Sequence, residues 1–433
     1  MDRQHIDAVA IEPPVQDRAR RGAMRLRDVD GRAWKITFLS LGGWLLVNAD
    51  GSLFNLNYPL LQDDLGISDQ GIGNLYAIIY AVGALATFFA GPMMDRAGRK
   101  PIYQACLAAA VLGSLLTAGA TGFLVLLLAR GITQAGATTE WMAGQVMVAE
   151  EAPAGVRGRL IGIAQIGYPL GFFLGSLMSY LIVPHVGWRG LFLFGVLPVF
   201  MMIWARRGVQ ETERFTRTMA ALGASAKPKR GSYAQLLAPD LRRSTILGAT
   251  WHLVYAFGVA GLISFLPTIY EHFGVDLAHT YLSSAIATGV AALGYLLCAF
   301  VGERIGRREA AALWLVLGAV AGALLAFEGR NFWLLTLFYS LVYFFTLGHV
   351  TAAAGFAAEV FPTRVRGTGA NIVAGMEWIG FFLAALFGPR MFAGLGYTTT
   401  LTIWLCICPL VAAACALGMK RVRPDAVLED IGV

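Results

Sequence analysis

Long runs of apolar residues recur along the whole chain, and short clusters of Gly, Pro and charged residues separate them. Each run has about the length that an α-helix needs to cross ~30 Å of hydrocarbon. The alternation of apolar and polar positions that strands of a membrane barrel would require does not occur. The pattern therefore predicts an all-α membrane protein with twelve transmembrane helices, at residues 34–57, 70–92, 101–119, 122–148, 160–183, 188–206, 244–268, 280–301, 310–327, 331–355, 367–389 and 396–418.

The composition supports this class and argues against an enzyme. Of the 433 residues, 57% are hydrophobic and 14% are charged, whereas about a quarter of a soluble domain is charged. The five cysteines all fall inside apolar runs, so we interpret them as buried small side chains rather than as metal or disulfide ligands. The sequence shows no nucleophile constellation, metal-binding cluster or phosphate loop, so we expect no cofactor and no catalytic activity.

The basic residues are distributed unevenly between the two ends of the predicted helices. Thirty of the 34 Lys and Arg residues lie in the two tails, the central loop and the loops on the same side, whereas Arg189, Arg330 and Arg390 lie opposite. Positive charge marks the cytoplasmic side, so both termini are predicted to be cytoplasmic, in a bacterial inner membrane. The net charge of +7 then reports topology, and we expect the lipid bilayer rather than nucleic acid as a partner.

Two sequence motifs occur twice at nearly the same spacing. GPMMDRAGRK begins at residue 91 and is matched by VGERIGRR, with corresponding positions 208 residues apart. EEAPAGVRG is matched by EVFPTRVRG, 209 residues later. Because both motifs recur after almost the same number of residues, the sequence indicates duplication of a six-helix unit. The predicted regions are a disordered cytoplasmic tail, a six-helix bundle, a cytoplasmic central loop, a second, pseudo-symmetric six-helix bundle and a cytoplasmic tail, at 1–33, 34–206, 207–243, 244–418 and 419–433.

The GxxxDRxGRK pattern of the first motif resembles the signature loop of the major facilitator superfamily. Three further stretches, TEWMAGQVMVAEEAPAGVRGRLIGIAQIGYPLG, WRGLFLFGVLPVF and AAEVFPTRVRGTGA, resemble its branch of proton-coupled symporters for aromatic acids, sialic acid and other organic acids. The resemblance covers about residues 35–418 and implies alternating access between two halves. VQETERF stands where sugar carriers usually have a PESPR-like sequence, and GYPLGFFLG where drug antiporters usually have a GPxxGG-like motif.

The repeated loop motifs predict a conformational latch near the cytoplasmic face. Gly91 and Gly98 permit tight turns, and Asp95 can accept hydrogen bonds from a helix N-terminus. Basic residues of the motif can pair with Glu150 or Glu151. The superfamily resemblance implies that such a cluster holds the outward-open state; topology setting and fold stability are the alternative. The predicted latch residues are Gly91, Asp95, Arg96, Gly98, Arg99, Lys100, Glu150, Arg157, Glu303, Arg304, Arg307, Glu359 and Arg366.

Asp50, Arg130, Glu140 and Glu377 lie well inside predicted helices, where charged residues by default mark transport pathways. Asp50 lies roughly 24 Å above the start of its helix and Arg130 roughly 12 Å below the outer start of its own, so the two can pair. A carboxylate beside a guanidinium stays ionised, and one moved into an apolar cavity protonates. We predict that these four residues couple transport to protons; a permanent structural ion pair is the alternative for Asp50 and Arg130.

The repeat offset relates further polar positions at one depth. At an offset of 209 residues, His349 is the equivalent of Glu140 in the second half, and Glu377 is the equivalent of Tyr168. This predicts a polar layer lining a central cavity, with a satisfied interhelical hydrogen bond as the alternative for each residue. Aromatic residues nearby can stack on a ring or, alternatively, pack only against neighbouring helices. The predicted substrate-binding residues are Asn57, Arg130, Gln134, Gln165, Tyr168, Trp251, His252, Tyr255, Tyr339, Tyr343, His349, Asn371 and Trp378.

These observations predict a monomeric, proton-coupled symporter that takes up a small organic anion by alternating access. A proton-coupled efflux antiporter of lipophilic compounds and a sugar:proton symporter are the alternatives. A non-transporting receptor or scaffold fits poorly, because it would have no use for four charged residues inside the membrane.

Overall fold

The computed structural model is helical throughout the part of the chain that it describes, which comprises residues 26–153, 156–208, 211–212, 216, 236–328, 331–361 and 366–421. Most of the predicted N-terminal tail and central loop lie outside these residues. The first half contains α1 (Gly31–Leu65), α2 (Asp69–Ala97), α3 (Arg99–Ala118), α4 (Phe123–Glu151), α5 (Arg157–Gln165), α6 (Gly167–Leu193) and α7 (Pro198–Gly208). The second half contains α8 (Arg242–Ser264), α9 (Leu266–His272), α10 (Leu277–Ile305), α11 (Arg307–Glu328), α12 (Phe332–Val342), α13 (Val350–Val360), α14 (Arg366–Leu395), α15 (Tyr397–Thr402) and α16 (Cys408–Gly418). Short 3-10 turns at Leu26–Asp28 and Phe194–Val196 and π-helical turns at Tyr343–Leu347 and Ile403–Ile407 complete the described elements.

Nine helical stretches in the described part of the chain are long and apolar enough to cross a membrane. The charged helices α1 and α4 are not among them, and one of the nine, Arg157–Met201, is interrupted at Gly187, where φ is 66°. Large apolar side chains also face outward: Phe89, Leu124 and Trp333 are 63%, 65% and 69% exposed. A surface of this kind is suited to contact with lipid.

The repeated loop motif has the same backbone geometry in both halves. Gly98 and Gly306 have φ angles of 92° and 105°, in the left-handed region that favours glycine. The N–H of each donates to the carbonyl four residues earlier, and a new helix begins at the next residue. The turn predicted at Gly98 is therefore present. The turn predicted at Gly91 is not formed, because α2 continues through that residue and ends six residues later.

Small residues allow α1 and α6 to pack closely within the first half. A Cβ atom added to Gly171 would lie 2.7 Å from Cβ of Asn48 and 3.0 Å from the backbone nitrogen of Ala49. One turn further along, the Ser52 hydroxyl donates to the Phe172 carbonyl at 3.1 Å. Close backbone approach and side-chain hydrogen bonds both stabilise helix pairs in lipid, where burial of apolar surface cannot drive association.

We expect Gly171→Ala to lower the free energy of unfolding by about 1–3 kcal/mol, because the added methyl group overlaps α1. Gly162→Ala is a matched control, since no atom lies within 4 Å of the added carbon. Helix propensity should then leave its stability unchanged or raise it by up to ~1 kcal/mol. Thermal unfolding of the purified variants in detergent measures both effects. Equal stability of the two variants would contradict this account of the packing.

The two halves meet through α2 with α14 and α6 with α10. We call the face that carries residues 26–35 and 416–421 the tail face, and the opposite face the far face. In the described part of the chain, hydrogen bonds between four pairs of residues cross between the halves nearer the far face. They join Tyr58 to Thr268, Asn57 to Tyr281 (2.5 Å), Tyr80 to Ser264 (2.8 Å) and Ser176 to Ser284 (2.9 Å).

Candidate functional site

A cavity of about 460 Å³ lies between the two halves. Its lining reaches Val146 and Ile161 in the first half and Ala354 and Val373 in the second. Each of these residues lies within about two turns of a helix end at the tail face. Towards the far face, the hydrogen bonds between the halves close the cavity. The volume suits a small organic molecule, and the cavity extends towards the tail face.

Most of the predicted substrate-binding residues come together in this cavity. Its lining includes Arg130, Gln134, Gln165, Tyr168, His252, Tyr255, His349 and Trp378, together with Glu377 from the predicted proton-coupling set. Four predicted residues are instead buried in the packing and do not line it: Asn57, Trp251, Tyr339 and Tyr343. The side chain of Asn371 lies outside the described residues. Further polar and aromatic lining residues, which were not predicted from the sequence, are Trp44, Asn48, Phe54, Asn55, Tyr76, Tyr80, Thr133, Thr138, Trp141, Gln145, Phe172, Tyr295 and Phe381.

Asp50 of α1 and Arg130 of α4 form a buried ion pair, as their predicted depths allow. Arg130 Nη1 lies 2.7 Å from Asp50 Oδ2, and the two side chains are 6% and 5% exposed. The Ser114 hydroxyl of α3 donates to Asp50 Oδ1 at 2.5 Å. The guanidinium also lies 4.6 Å from the ring centre of Phe54. Because Arg130 lines the cavity and Asp50 lies behind it, a ligand carboxylate can compete with Asp50 for the same cation.

Glu140 does not face the cavity, so the predicted polar layer is incomplete. The residue is fully buried, and a Cβ atom added to Gly43 of α1 would overlap both Glu140 Oε1 and the Tyr103 hydroxyl. The physical reason is helical rotation. Glu140 lies ten residues after Arg130, about 2.8 turns along α4, and therefore points to a different side of that helix. The other three members of the layer, Tyr168, His349 and Glu377, do line the cavity.

Trp141, and not the neighbouring Glu140, is the residue that α4 places at the cavity wall. It lies eleven residues after Arg130, about three full turns, so it returns to the same side of the helix. Its indole N–H donates to Gln165 Oε1 at 3.1 Å, which fixes the ring at the cavity wall. The helical period was thus the signal in the sequence that identifies this residue.

Aromatic rings form two groups in the cavity lining, one from α1, α4 and α6 and the other from α2 and α14. In the first half, the ring centre of Trp44 lies 5.9 Å from Trp141 and 6.0 Å from Tyr168. Near α14, Tyr80 lies 6.1 Å from Trp378. Such surfaces bind planar ring systems by stacking and edge contacts. The lining therefore combines one buried cation with extensive aromatic surface.

The second half contributes a smaller polar group to the cavity. His252 Nδ1 of α8 lies 3.7 Å from Glu377 Oε2 of α14, and the Glu377 side chain is 32% exposed. His349 follows the π-helical turn and its Nδ1–H donates to the Thr346 carbonyl at 2.5 Å. The His349 ring centre lies 4.3 Å from that of Tyr255. A π-helical turn beside a binding cavity is a common device for orienting a side chain inward.

The predicted latch residues of the first motif form contacts within the first half. Arg99 Nη2 lies 3.0 Å from Glu150 Oε1. Glu211, a central-loop residue that the sequence analysis did not single out, accepts the backbone N–H groups of Arg99 and Lys100 at 3.2 Å each. A carboxylate at the first turn of a helix is favoured by the helix dipole. These contacts tie the central loop to the start of α3 and the end of α4.

In the described part of the chain, the contacts between the halves at the tail face are more exposed than the hydrogen bonds nearer the far face. Arg159 Nε lies 3.5 Å from Glu303 Oε1, and both side chains are about half exposed; an exposed pair of this kind contributes at most about 1 kcal/mol. Arg96 and Arg304 are exposed. The side chains of Asp95, Glu359 and Arg366 lie outside the described residues. A latching role for the cluster stays a prediction.

Both halves of the chain are similar to known transporter families. The model of the Major Facilitator Superfamily matches residues 39–251, and that of the family Sugar (and other) transporter matches residues 206–422. The niacin transporter NiaP of Acinetobacter baylyi is 25% identical, covering 90% of this chain and 94% of its own length. The 4-hydroxybenzoate transporter PcaK of the same organism is 25% identical, and the match covers 87% of this chain and 89% of PcaK. The sialic acid transporter NanX of Escherichia coli is 25% identical, and the match covers 76% of this chain and 81% of NanX.

These matches cover both halves and nearly all of the predicted helices. They agree with the resemblance seen in the loop motifs. The relatives are transporters rather than enzymes, as the sequence predicted. The chain belongs to the major facilitator superfamily, and it resembles that superfamily's transporters of organic acids.

Proposed function

We propose that the protein is a proton-coupled symporter that takes up a small aromatic or otherwise cyclic carboxylate. The buried ion pair between Asp50 and Arg130 at the cavity wall is the observation that carries this proposal. Both charges are held inside the membrane, where an unpaired charge costs several kcal/mol. Arg130 keeps its charge under all conditions, so it is Asp50 whose charge can change during transport.

The coupling follows from competition for Arg130. When a substrate carboxylate binds the guanidinium, Asp50 loses its cation in surroundings that include Phe54 and the apolar faces of α1 and α3. A carboxylate in such surroundings takes up a proton. Substrate and proton therefore enter the protein together, and release of one favours release of the other.

The substrate class follows from the shape and lining of the cavity. Phe54 provides a ring centred 4.6 Å from the Arg130 guanidinium, and Trp44, Trp141 and Tyr168 provide further aromatic surface along the same cavity. Gln134 and Gln165 provide hydrogen bonds. A volume of about 460 Å³ accommodates one ring with its substituents. Niacin and 4-hydroxybenzoate, which relatives carry, both combine a ring with a carboxylate. The aromatic lining favours such acids over sugars, which require a denser set of hydrogen bonds.

The same proposal assigns twelve transmembrane helices in two six-helix halves. The nine apolar stretches become twelve when α1 and α4 are added and Arg157–Met201 is divided at Gly187. Helices α1 and α4 carry the ion pair, which explains their lower apolarity. By the distribution of Lys and Arg, the tail face is cytoplasmic, in a bacterial inner membrane. The cavity then extends towards the cytoplasm, as in an inward-facing state of a monomer.

Solute counterflow in proteoliposomes tests the substrate class. We expect vesicles loaded with unlabelled nicotinate or 4-hydroxybenzoate to take up the labelled acid faster than empty vesicles, and an acid-outside gradient to drive its accumulation. Glucose and a lipophilic cation, the probes for the two alternatives, should give no protein-dependent flux. Accumulation of glucose, or expulsion of the lipophilic cation by the proton gradient, would replace the proposal with the corresponding alternative.

A further inference from the structure

A second, smaller cavity of about 200 Å³ lies between the halves at the far face. The first half supplies Gln62 and Asp69, and the second supplies Phe392 and Tyr397. Gln62 Nε2 donates to Asp69 Oδ1 at 2.9 Å and so holds the carboxylate at the cavity. The rings of Phe392 and Tyr397 stack with their centres 4.6 Å apart. The lining thus combines one carboxylate with aromatic walls.

This cavity is separate from the larger one. Phe265 lines the small cavity and Tyr76 lines the large cavity, and their ring centres lie 6.0 Å apart. The hydrogen bond between Tyr58 and Thr268, both of which line the small cavity, crosses between the halves at this level. The two cavities therefore lie on opposite sides of a closed layer of side chains.

The charge around the small cavity is negative, whereas Arg130 gives the large cavity a cation. Asp69 is the one charged residue in the described lining, and the ring of His272 stacks on Tyr397 with the ring centres 3.8 Å apart. Arg390, which follows the lining residue Pro389, donates back to the Leu386 carbonyl. An organic carboxylate would be repelled here, so the small cavity is not a waypoint for the proposed substrate.

We propose that this cavity is a regulatory site for a small organic ammonium ion. The carboxylate of Asp69 attracts the charge, and the rings of Tyr58, Phe265 and Phe392 contact the alkyl groups around the nitrogen. A strongly hydrated inorganic cation would not gain from those rings. The bound cation contacts both halves, so it stabilises the state in which the far face is closed and opposes the state in which that face opens.

Calorimetric titration of the purified protein with choline tests the site without any transport measurement. We expect saturable binding that sodium at the same ionic strength does not reproduce. The uncharged isostere 3,3-dimethylbutan-1-ol should bind about tenfold more weakly or worse, because it lacks the charge. Failure of the proposed transport function would leave this result unaffected, since the titration requires only folded protein.

Variants locate the bound cation. Asp69→Asn should weaken choline binding by about tenfold or more, whereas Asp63→Asn, which removes the same charge from an exposed position outside the lining, should bind like the parent protein. Choline should also raise the melting temperature of the parent protein and of Asp63→Asn. Binding that survives in Asp69→Asn but is lost in Glu377→Gln would place choline in the large cavity and overturn the proposal, as would the absence of binding.

Discussion

Asp50→Asn is expected to abolish proton-driven accumulation of substrate while exchange across the membrane continues. Asparagine keeps the size of the side chain and can still accept hydrogen bonds from Ser114 and Arg130, but it cannot take up a proton. A gradient of one pH unit holds about 1.4 kcal/mol for each coupled proton, enough for about tenfold accumulation. We expect this accumulation to fall to equilibration in the variant, with solute counterflow retained within about threefold.

Two further carboxylate variants serve as comparisons in the same assay. Glu140→Gln should retain uphill accumulation, because Glu140 is buried beside Gly43 and Tyr103 and does not reach the cavity. Glu377→Gln should alter substrate affinity more than the accumulation ratio, since Glu377 lies at the wall near His252. If Asp50→Asn still concentrates substrate against its gradient, Asp50 does not carry the coupled proton.

The ion pair is the part of the site that the sequence predicted best. Asp50 and Arg130 lie on helices that run in opposite directions, and counting residues from each helix start gives nearly the same depth for both. Lipid permits a buried charge only when a partner or water is close. The shared depth and the need of each buried charge for a partner were therefore sufficient to predict the ion pair. In the structure, Arg130 Nη1 lies 2.7 Å from Asp50 Oδ2.

Depth was not sufficient to place Glu140, and Asn57 and Tyr339, which were also expected at the cavity, are buried in the packing. A residue count fixes the height of a side chain along a helix, but the rotation of the helix decides whether that side chain faces the cavity. Asn57 bonds Ser179 and Tyr281 in the packing between helices instead. The rotation depends on close contacts such as that of Gly171 with α1, which connect residues more than a hundred positions apart. No local sequence pattern contains that information.

The small cavity at the far face could not be predicted from the sequence for a related reason. Gln62 and Asp69 are neighbours along the chain, but Tyr397 comes from the other half. Only the packing of the two halves in this conformation brings an acidic group of the first half against aromatic rings of the second. A site that exists in one conformation leaves no periodic signal in the sequence of either half.

Arg130→Gln should have the largest effect on stability, since it leaves Asp50 without its cation. Removing one partner of a buried ion pair costs about 3–5 kcal/mol, mostly because the remaining charge is left unpaired. We expect a loss at the lower end of this range, because Arg130 lines a cavity that water can enter. Substrate affinity should fall by about 10- to 100-fold, as one charge-assisted hydrogen bond is lost. Thermal unfolding and ligand titration measure the two effects.

The double variant Asp50→Asn/Arg130→Gln separates the roles of charge and contact. With no unpaired charge left in the membrane, most of the stability lost in Arg130→Gln should return, to within about 1.5 kcal/mol of the parent protein. Substrate binding should not return, because the guanidinium that would hold the carboxylate is still absent. If the double variant proves as unstable as Arg130→Gln alone, the instability comes from lost packing against Phe54 rather than from the charge on Asp50. Recovery of stability without recovery of binding would mean that Arg130 holds the substrate and that the membrane tolerates the charge on Asp50 only beside Arg130.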